Sequence, residues 1–113
     1  MKVSQLIPKI ESRFHFTLRH QKFVPKRAGC YVISTFEGEI LYVGLTNNLQ
    51  RRFGEHRESK EKTKPTVKGT AFWFYFLAGE DKELRRLERT WLNQFEVEHG
   101  CLTVFNKVRS PVR

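Results

Sequence analysis

Residues 29–56 constrain this chain more than any other stretch. They read Gly-Cys-Tyr-Val-Ile-Ser-Thr-Phe-Glu-Gly-Glu-Ile-Leu-Tyr-Val-Gly-Leu-Thr-Asn-Asn-Leu-Gln-Arg-Arg-Phe-Gly-Glu-His. Two short apolar runs, Cys30–Thr35 and Ile40–Val43, flank the polar turn Phe36-Glu37-Gly38-Glu39. β-Branched and aromatic residues on both sides of such a turn predict an antiparallel hairpin with one tyrosine on each strand. After Gly44, Asn47 or Asn48 is placed to cap a helix. At about 100° per residue, Leu49, Arg52, Phe53 and His56 share roughly one third of that helix's circumference, and Arg51 points nearly the opposite way. Leu49 and Phe53 are an ordinary core stripe. Arg52 and His56 either rim that core with their polar ends in water or face the tyrosines of the hairpin.

Charge narrows the set of partners. The net charge is +9 over 113 residues. Residues 1–28 hold seven Lys/Arg against one acid, and residues 51–68 hold seven against three. Residues 80–100 reverse the balance, with four against six. Positive charge thus lies before and between the presumed active-site elements, a distribution that suits a polyanion such as nucleic acid. Hydrophobic residues make up 39% of the chain and include ten phenylalanines, enough for one folded core. Cys30 and Cys101 have no metal-ligand spacing, so zinc is not expected. The longest apolar run, near Ala71–Ala78, is too short to cross a bilayer, so no membrane association and a cytoplasmic location are expected.

The two strand motifs, Gly29-Cys30-Tyr31 and Tyr42-Val43-Gly44, resemble the motifs that name the GIY-YIG nucleases. The resemblance continues through Arg52, His56, Glu88 three residues before Trp91, and Asn106, and covers about residues 25–107. Cys30 departs from the aliphatic residue usual at its position and is expected to pack as a small hydrophobe. The resemblance implies a stand-alone, single-domain member with an α/β (α+β) fold: a small sheet of about three strands, mixed or antiparallel, flanked by helices. In this reading residues 1–24 are a basic arm packed on the core, 25–107 the nuclease domain and 108–113 a basic tail.

Along the chain, Ser4 is placed to cap a short helix bearing Ile7, Ile10 and Phe14, although Phe14–Leu18 also alternates as an extended segment would. His15 and His20 read as surface residues. Glu58–Gly69 is polar and Lys-rich and reads as a mobile loop beside the site. Arg51, Arg57, Lys60, Lys62, Lys64 and Lys68 are the candidate phosphate contacts. Residues 70–77 are dense in aromatics and predict a central strand. Lys68–Tyr75 also fits five of the seven specified positions of the RNP1 motif of RNA-recognition modules. Thr70 lacks the first stacking ring, however, and the order of elements differs, so a core strand is the better reading.

Asp81 is placed to cap a long helix ended by Gly100. Leu84, Leu87, Trp91, Leu92 and Phe95 share one face of it, and Glu88 lies about 40° from Leu84 within that face. A carboxylate among apolar residues is costly unless it is paired or binds a metal. Arg52 is the candidate partner, and one ion of Mg²⁺ (or Mn²⁺) per active site is the candidate metal. Leu102–Phe105 reads as extended, with Asn106 a turn residue unless the resemblance gives it a function.

Phosphodiester hydrolysis needs an activated water, neutralisation of phosphorane charge and help for the departing oxygen. The resemblance implies a metal at Glu88, Arg52 on a phosphate oxygen, Tyr31 as general base and Tyr42 orienting the water. His56 would hydrogen-bond Tyr31 or assist proton transfer. A tyrosine pKa of about 10 must then be lowered by nearby positive charge. The expected activity is a divalent-metal-dependent DNA endonuclease, with branched, damaged or single-stranded DNA among its candidate substrates and a homodimer or protein partner among its candidate assemblies. The alternative is a catalytically silent or partner-dependent module binding DNA or RNA.

Overall fold

The hairpin forms where the sequence places it. In a computed structural model, which describes residues 1–101, 103, 105 and 106, Gly29–Ser34 (β2) pairs antiparallel with Ile40–Thr46 (β3). The Asn48 side chain accepts from the Arg51 N–H and caps helix α1, Leu49–Glu58. A short helical turn, Lys60–Thr63 (α2), follows, then strand β4, Trp73–Ala78, and helix α3, Asp81–His99. Gly100 ends α3 at φ 73°, a conformation that favours glycine.

The sheet has four strands rather than about three. Arg13–His15 (β1) pairs with β4, giving the all-antiparallel order β1-β4-β2-β3. The 1–24 arm therefore supplies an edge strand. Of the two readings at Phe14, the extended one holds. The helix expected from Ser4 is replaced by a 3-10 turn at Val3–Gln5. Met1, Val3, Leu6 and Ile10 are all buried against the α3 face, and that packing overrides local helix propensity.

Each helix covers one face of the sheet. Leu49 and Phe53 of α1 pack on Tyr31, Ile33, Leu41 and Phe74. Leu84, Trp91, Leu92 and Phe95 of α3 pack on Cys30, Val32, Val43 and Tyr75. Three details differ from expectation. Asp81 does not cap α3: the cap position is Glu80, without a side-chain bond, and Asp81 pairs with Arg85 at 2.8 Å. The 58–69 segment is not a plain loop, because Ser59 caps α2 and Thr66 and Gly69 exchange backbone hydrogen bonds. Phe74 of the RNP1-like stretch is fully buried, as a core strand requires.

Register decides where the second tyrosine points. Ile33 lies opposite Tyr42 but Ser34 lies opposite Ile40, so Leu41 has no partner on β2. The regular pair Ile33–Tyr42 puts Tyr42 on the α1 face, and the β-bulge turns its neighbour Leu41 to the same face, while Ile40 and Val43 face α3. Residues beyond α3 close the outer edge of β3. Phe105 N–H donates to Leu41 C=O, and the Asn106 side chain accepts from Val43 N–H (2.9 Å) and donates to Val43 C=O (3.0 Å). Asn106 thus substitutes for a neighbouring peptide. Of the expected extended segment, Leu102 and Val104 lie outside the described residues, as do Lys107 and the 108–113 tail.

Asn106→Ala leaves two backbone groups of a buried residue without partners and is expected to cost roughly 2–4 kcal/mol. Urea denaturation of both proteins measures this; a loss below about 1 kcal/mol would show that water replaces the amide.

Candidate active site

A cleft of about 350 Å³ opens beside β3 and draws on both faces of the sheet. Tyr42, Leu45, Thr46 and Asn47 come from β3 and its end, Arg51 and Arg52 from α1, and Asp81 and Glu88 from α3. Glu88 is 4% exposed, within the buried face that the periodicity indicated. The expected opposition of Arg51 and Arg52 does not keep Arg51 out. Its long side chain reaches back to Asn47, donating from Nη2 to Oδ1 at 2.7 Å.

Arg52 pairs with Glu55, not with Glu88 as its first partner: Nε lies 3.3 Å from Glu55 Oε1. That contact is not aligned as a hydrogen bond, and among the described residues the buried Nε–H has no acceptor. A buried guanidinium donor in this condition is suited to an anionic oxygen. Glu55 is not singled out by the sequence, and Asn47, a candidate cap there, instead accepts from Arg51 while Asn48 caps the helix. The only signal for Glu55 is spacing, since Asn47, Arg51 and Glu55 recur every four residues along one side of the helix.

Tyr31 and His56 lie behind the cleft wall. Tyr31 is 1% exposed, and its hydroxyl sits 2.6 Å from His56 Nε2. Tyr42 meets both, with ring centroids 5.8 Å from Tyr31 and 5.2 Å from His56. Gly44 makes this packing fit. A Cβ there would lie 2.4 Å from Tyr31 Cζ and 2.7 Å from Tyr42 Cε2, so any side chain would displace both rings.

Electrostatics keep the pair neutral. Burial, then the charges of Lys62 and Arg52, lowers the His56 pKa to about 3. Burial raises the Tyr31 pKa well above the ordinary tyrosine value; Tyr42 and Glu88 add to the rise, and Arg52 opposes it without prevailing. The lowered tyrosine pKa expected from the sequence is therefore not what the protein groups alone produce. Desolvation of a phenolate outweighs one guanidinium. Cys30, whose thiol donates to Leu84 C=O, is likewise pushed up to about 12 by burial and Glu88, so it is an inert core residue.

The remaining basic candidates disperse. Lys62 stands 4.9 Å from the Tyr42 ring and belongs to the site's surroundings. Arg57 lies over Phe16 and Lys68 over Phe95, neither among the cleft-lining residues, and Lys60 and Lys64 are exposed. Asn106 does not line the cleft; it holds the backbone beside Tyr42. No three His, Cys, Asp or Glu side chains converge among the described residues. The cleft carries two carboxylates, Glu88 and the Arg85-paired Asp81. Such a set fits Mg²⁺, which binds one or two carboxylates, keeps several waters and takes phosphate oxygens.

The hairpin carrying both tyrosines, the capped helix carrying the arginine and the buried glutamate on the far helix define a nuclease-type domain. The chain belongs to the GIY-YIG family: the family model described as the GIY-YIG catalytic domain matches residues 27–99. Among curated proteins it is similar to UvrABC system protein C of Lactobacillus delbrueckii subsp. bulgaricus, at 30% identity over 77 residues, 66% of this chain and 13% of that protein. It is 32% identical over 75 residues to the protein of that name from Pediococcus pentosaceus (65% of this chain, 13% of that protein). The figure for Clostridium perfringens SM101 is 28% over 90 residues (75% and 14%). The chain thus spans about one seventh of the length of these relatives. Among the described residues no helix is long and apolar enough to cross a membrane.

Because folded His56 resists protonation until about pH 3, the native state is expected to lose stability as pH falls from 6.5 toward 3. The unfolded imidazole gains its proton first, so the slope approaches about 1.4 kcal/mol per pH unit. Denaturation series across this range should show a shallower slope for His56→Gln; an equal slope would place the pH dependence elsewhere.

Proposed function

We propose that this chain is a divalent-metal-dependent endonuclease that hydrolyses DNA phosphodiester bonds. One observation carries the reading: helices on opposite faces of the sheet deliver Arg52, with an unsatisfied buried donor, and the buried Glu88 carboxylate to a single cleft walled by Tyr42. A scissile phosphate in that cleft would take the Arg52 Nε–H on a non-bridging oxygen. Glu88 would hold Mg²⁺ or Mn²⁺, which when bound supplies Lewis-acid stabilisation to the phosphate and the leaving oxygen.

Tyr42, at the cleft wall, orients the attacking water. Tyr31 need not ionise beforehand. Because Tyr31 lies behind Tyr42, the water's proton would reach it through the adjacent Tyr42 hydroxyl. That hydroxyl gives its own proton to the Tyr31 oxygen as the Tyr31 proton passes along the 2.6 Å hydrogen bond to neutral His56 Nε2. The negative phosphate offsets the Arg52 and Lys62 charges that depress His56, so the imidazole becomes a better acceptor when substrate is present. Asn106 is a positioning residue that keeps Tyr42 aimed, and Arg51 contacts the flanking phosphate.

Glu88→Gln is expected to reduce nicking of supercoiled plasmid in Mg²⁺ by about 10²–10³-fold, with a far-ultraviolet circular dichroism spectrum like that of the unmodified protein. Nicking retained by the folded variant would overturn the site. Salt-sensitive DNA binding without cleavage by the unmodified chain would favour the binding module.

A further inference from the structure

At the edge of the sheet opposite the cleft, about three strand spacings or 14 Å away, the chain builds a second feature that hydrolysis does not use. On the α1 face, Phe14 of β1 stacks between Phe76 (centroids 5.8 Å, 8°) and Phe23 (5.9 Å, 28°). His15, the last residue of β1, stacks on Phe72 at 4.0 Å, and Phe72 meets Phe36 edge-on at 5.0 Å. On the face of the same strand opposite Phe14, the Arg13 guanidinium lies 3.6 Å from the centre of the Trp73 ring and donates from Nη1 to the Tyr75 hydroxyl at 3.0 Å. His15, Phe23, Phe36 and Phe72 belong to neither core cluster, and Phe23 and Phe36 are 55% and 61% exposed.

We propose that this edge is a stacking platform for the unpaired bases of single-stranded DNA. The choice of DNA rests on the nuclease reading above; the platform itself rests on the rings and on the charge between them. Every base has a π-face, and surfaces that hold single strands without reading sequence combine exposed aromatics with cations that follow the backbone. Both are present. Lys22 Nζ stands 5.4 Å from the Phe23 ring, and Arg57 is near enough for its charge to add to the burial and His20 effects that disfavour protonation of His15. Among the described residues Arg13, Lys22 and Arg57 pair with no carboxylate. A surface made for a protein partner would not need unopposed cations between its rings, whereas a polyanion does. The RNP1-like stretch finds its use here in part: Phe72 and Trp73 stay at the surface while Phe74 is core. A duplex cut in the cleft would thereby be preferred when an unpaired strand extends from it round the domain.

The test is binding of a fluorescein-labelled oligothymidine of about 12 nucleotides, followed by anisotropy in EDTA so that no cleavage intervenes. Phe23→Ala/Phe36→Ala changes two exposed rings and should fold. It is expected to weaken single-strand binding about tenfold or more, while affinity for a blunt duplex of equal length changes less than about twofold. Phe23→Leu/Phe36→Leu, which keeps apolar area but removes the π-faces, should lose a similar amount. Oligothymidine should also quench Trp73 fluorescence, with Trp73→Phe as the control. Absence of single-strand binding, equal loss for duplex and single strand, or full binding by the leucine variant would each overturn the platform. So would tighter binding of oligouridine, or a dimer that the alanine variant dissolves. Plasmid nicking by the same preparations keeps the readings apart: oligothymidine binding without nicking removes the nuclease and leaves the platform, and nicking without oligothymidine binding does the reverse.

Discussion

The β2–β3 register, with its bulge at Leu41, governs the rest of the site. Side chains on a strand alternate with a period of two and directly paired residues share a face. The pairing of Tyr31 with Gly44 and Ile33 with Tyr42 therefore brings Tyr42 to the α1 face and by itself would leave Leu41 on the other. One extra residue turns Leu41 and Tyr42 the same way. Gly44, opposite Tyr31, leaves the space that both rings then occupy. As the edge strand, β3 presents outward backbone groups with no neighbouring strand, and Phe105 and Asn106 satisfy those of Leu41 and Val43. The end of the described chain thereby holds the geometry of its middle.

Two helices then meet a single edge from opposite sides. Core packing fixes each of them: Phe53 and Leu49 seat α1, and Leu84, Trp91 and Phe95 seat α3. Their polar residues at the cleft are placed by that packing rather than by pairing with one another. Arg52 turns to Glu55 and keeps a donor unsatisfied. Low dielectric surroundings keep Tyr31 and His56 neutral, which favours a proton passed along an existing hydrogen bond over a preformed phenolate.

Much of this is legible in the sequence. The hairpin, the Asn48-capped helix and the glycine stop of α3 follow from turn, cap and breaker residues, which act over a few positions. Glu88 stood out because it alone interrupts an apolar face at helical spacing. The misplaced features were those with competing local signals. The arm from Ser4 to Ile10 can form a helix but is drawn out along the α3 face, and the Lys-rich 58–69 segment acquires a capped turn despite its loop-like composition.

The sequence by itself determined the elements, the family and the residue types that gather at the cleft, because periodicity and caps are short-range properties. Only the tertiary structure decided which groups share a pocket and in what charge state. Arg51 joins Arg52 in the cleft, Asn106 serves Val43 instead of facing the cleft, and Tyr31 is buried rather than acidified. The fourth strand, and the aromatic edge built on it, came from tertiary structure as well. These depend on strand register, on burial and on contacts between residues far apart in the chain, where each group's energy is set by neighbours that local patterns do not specify.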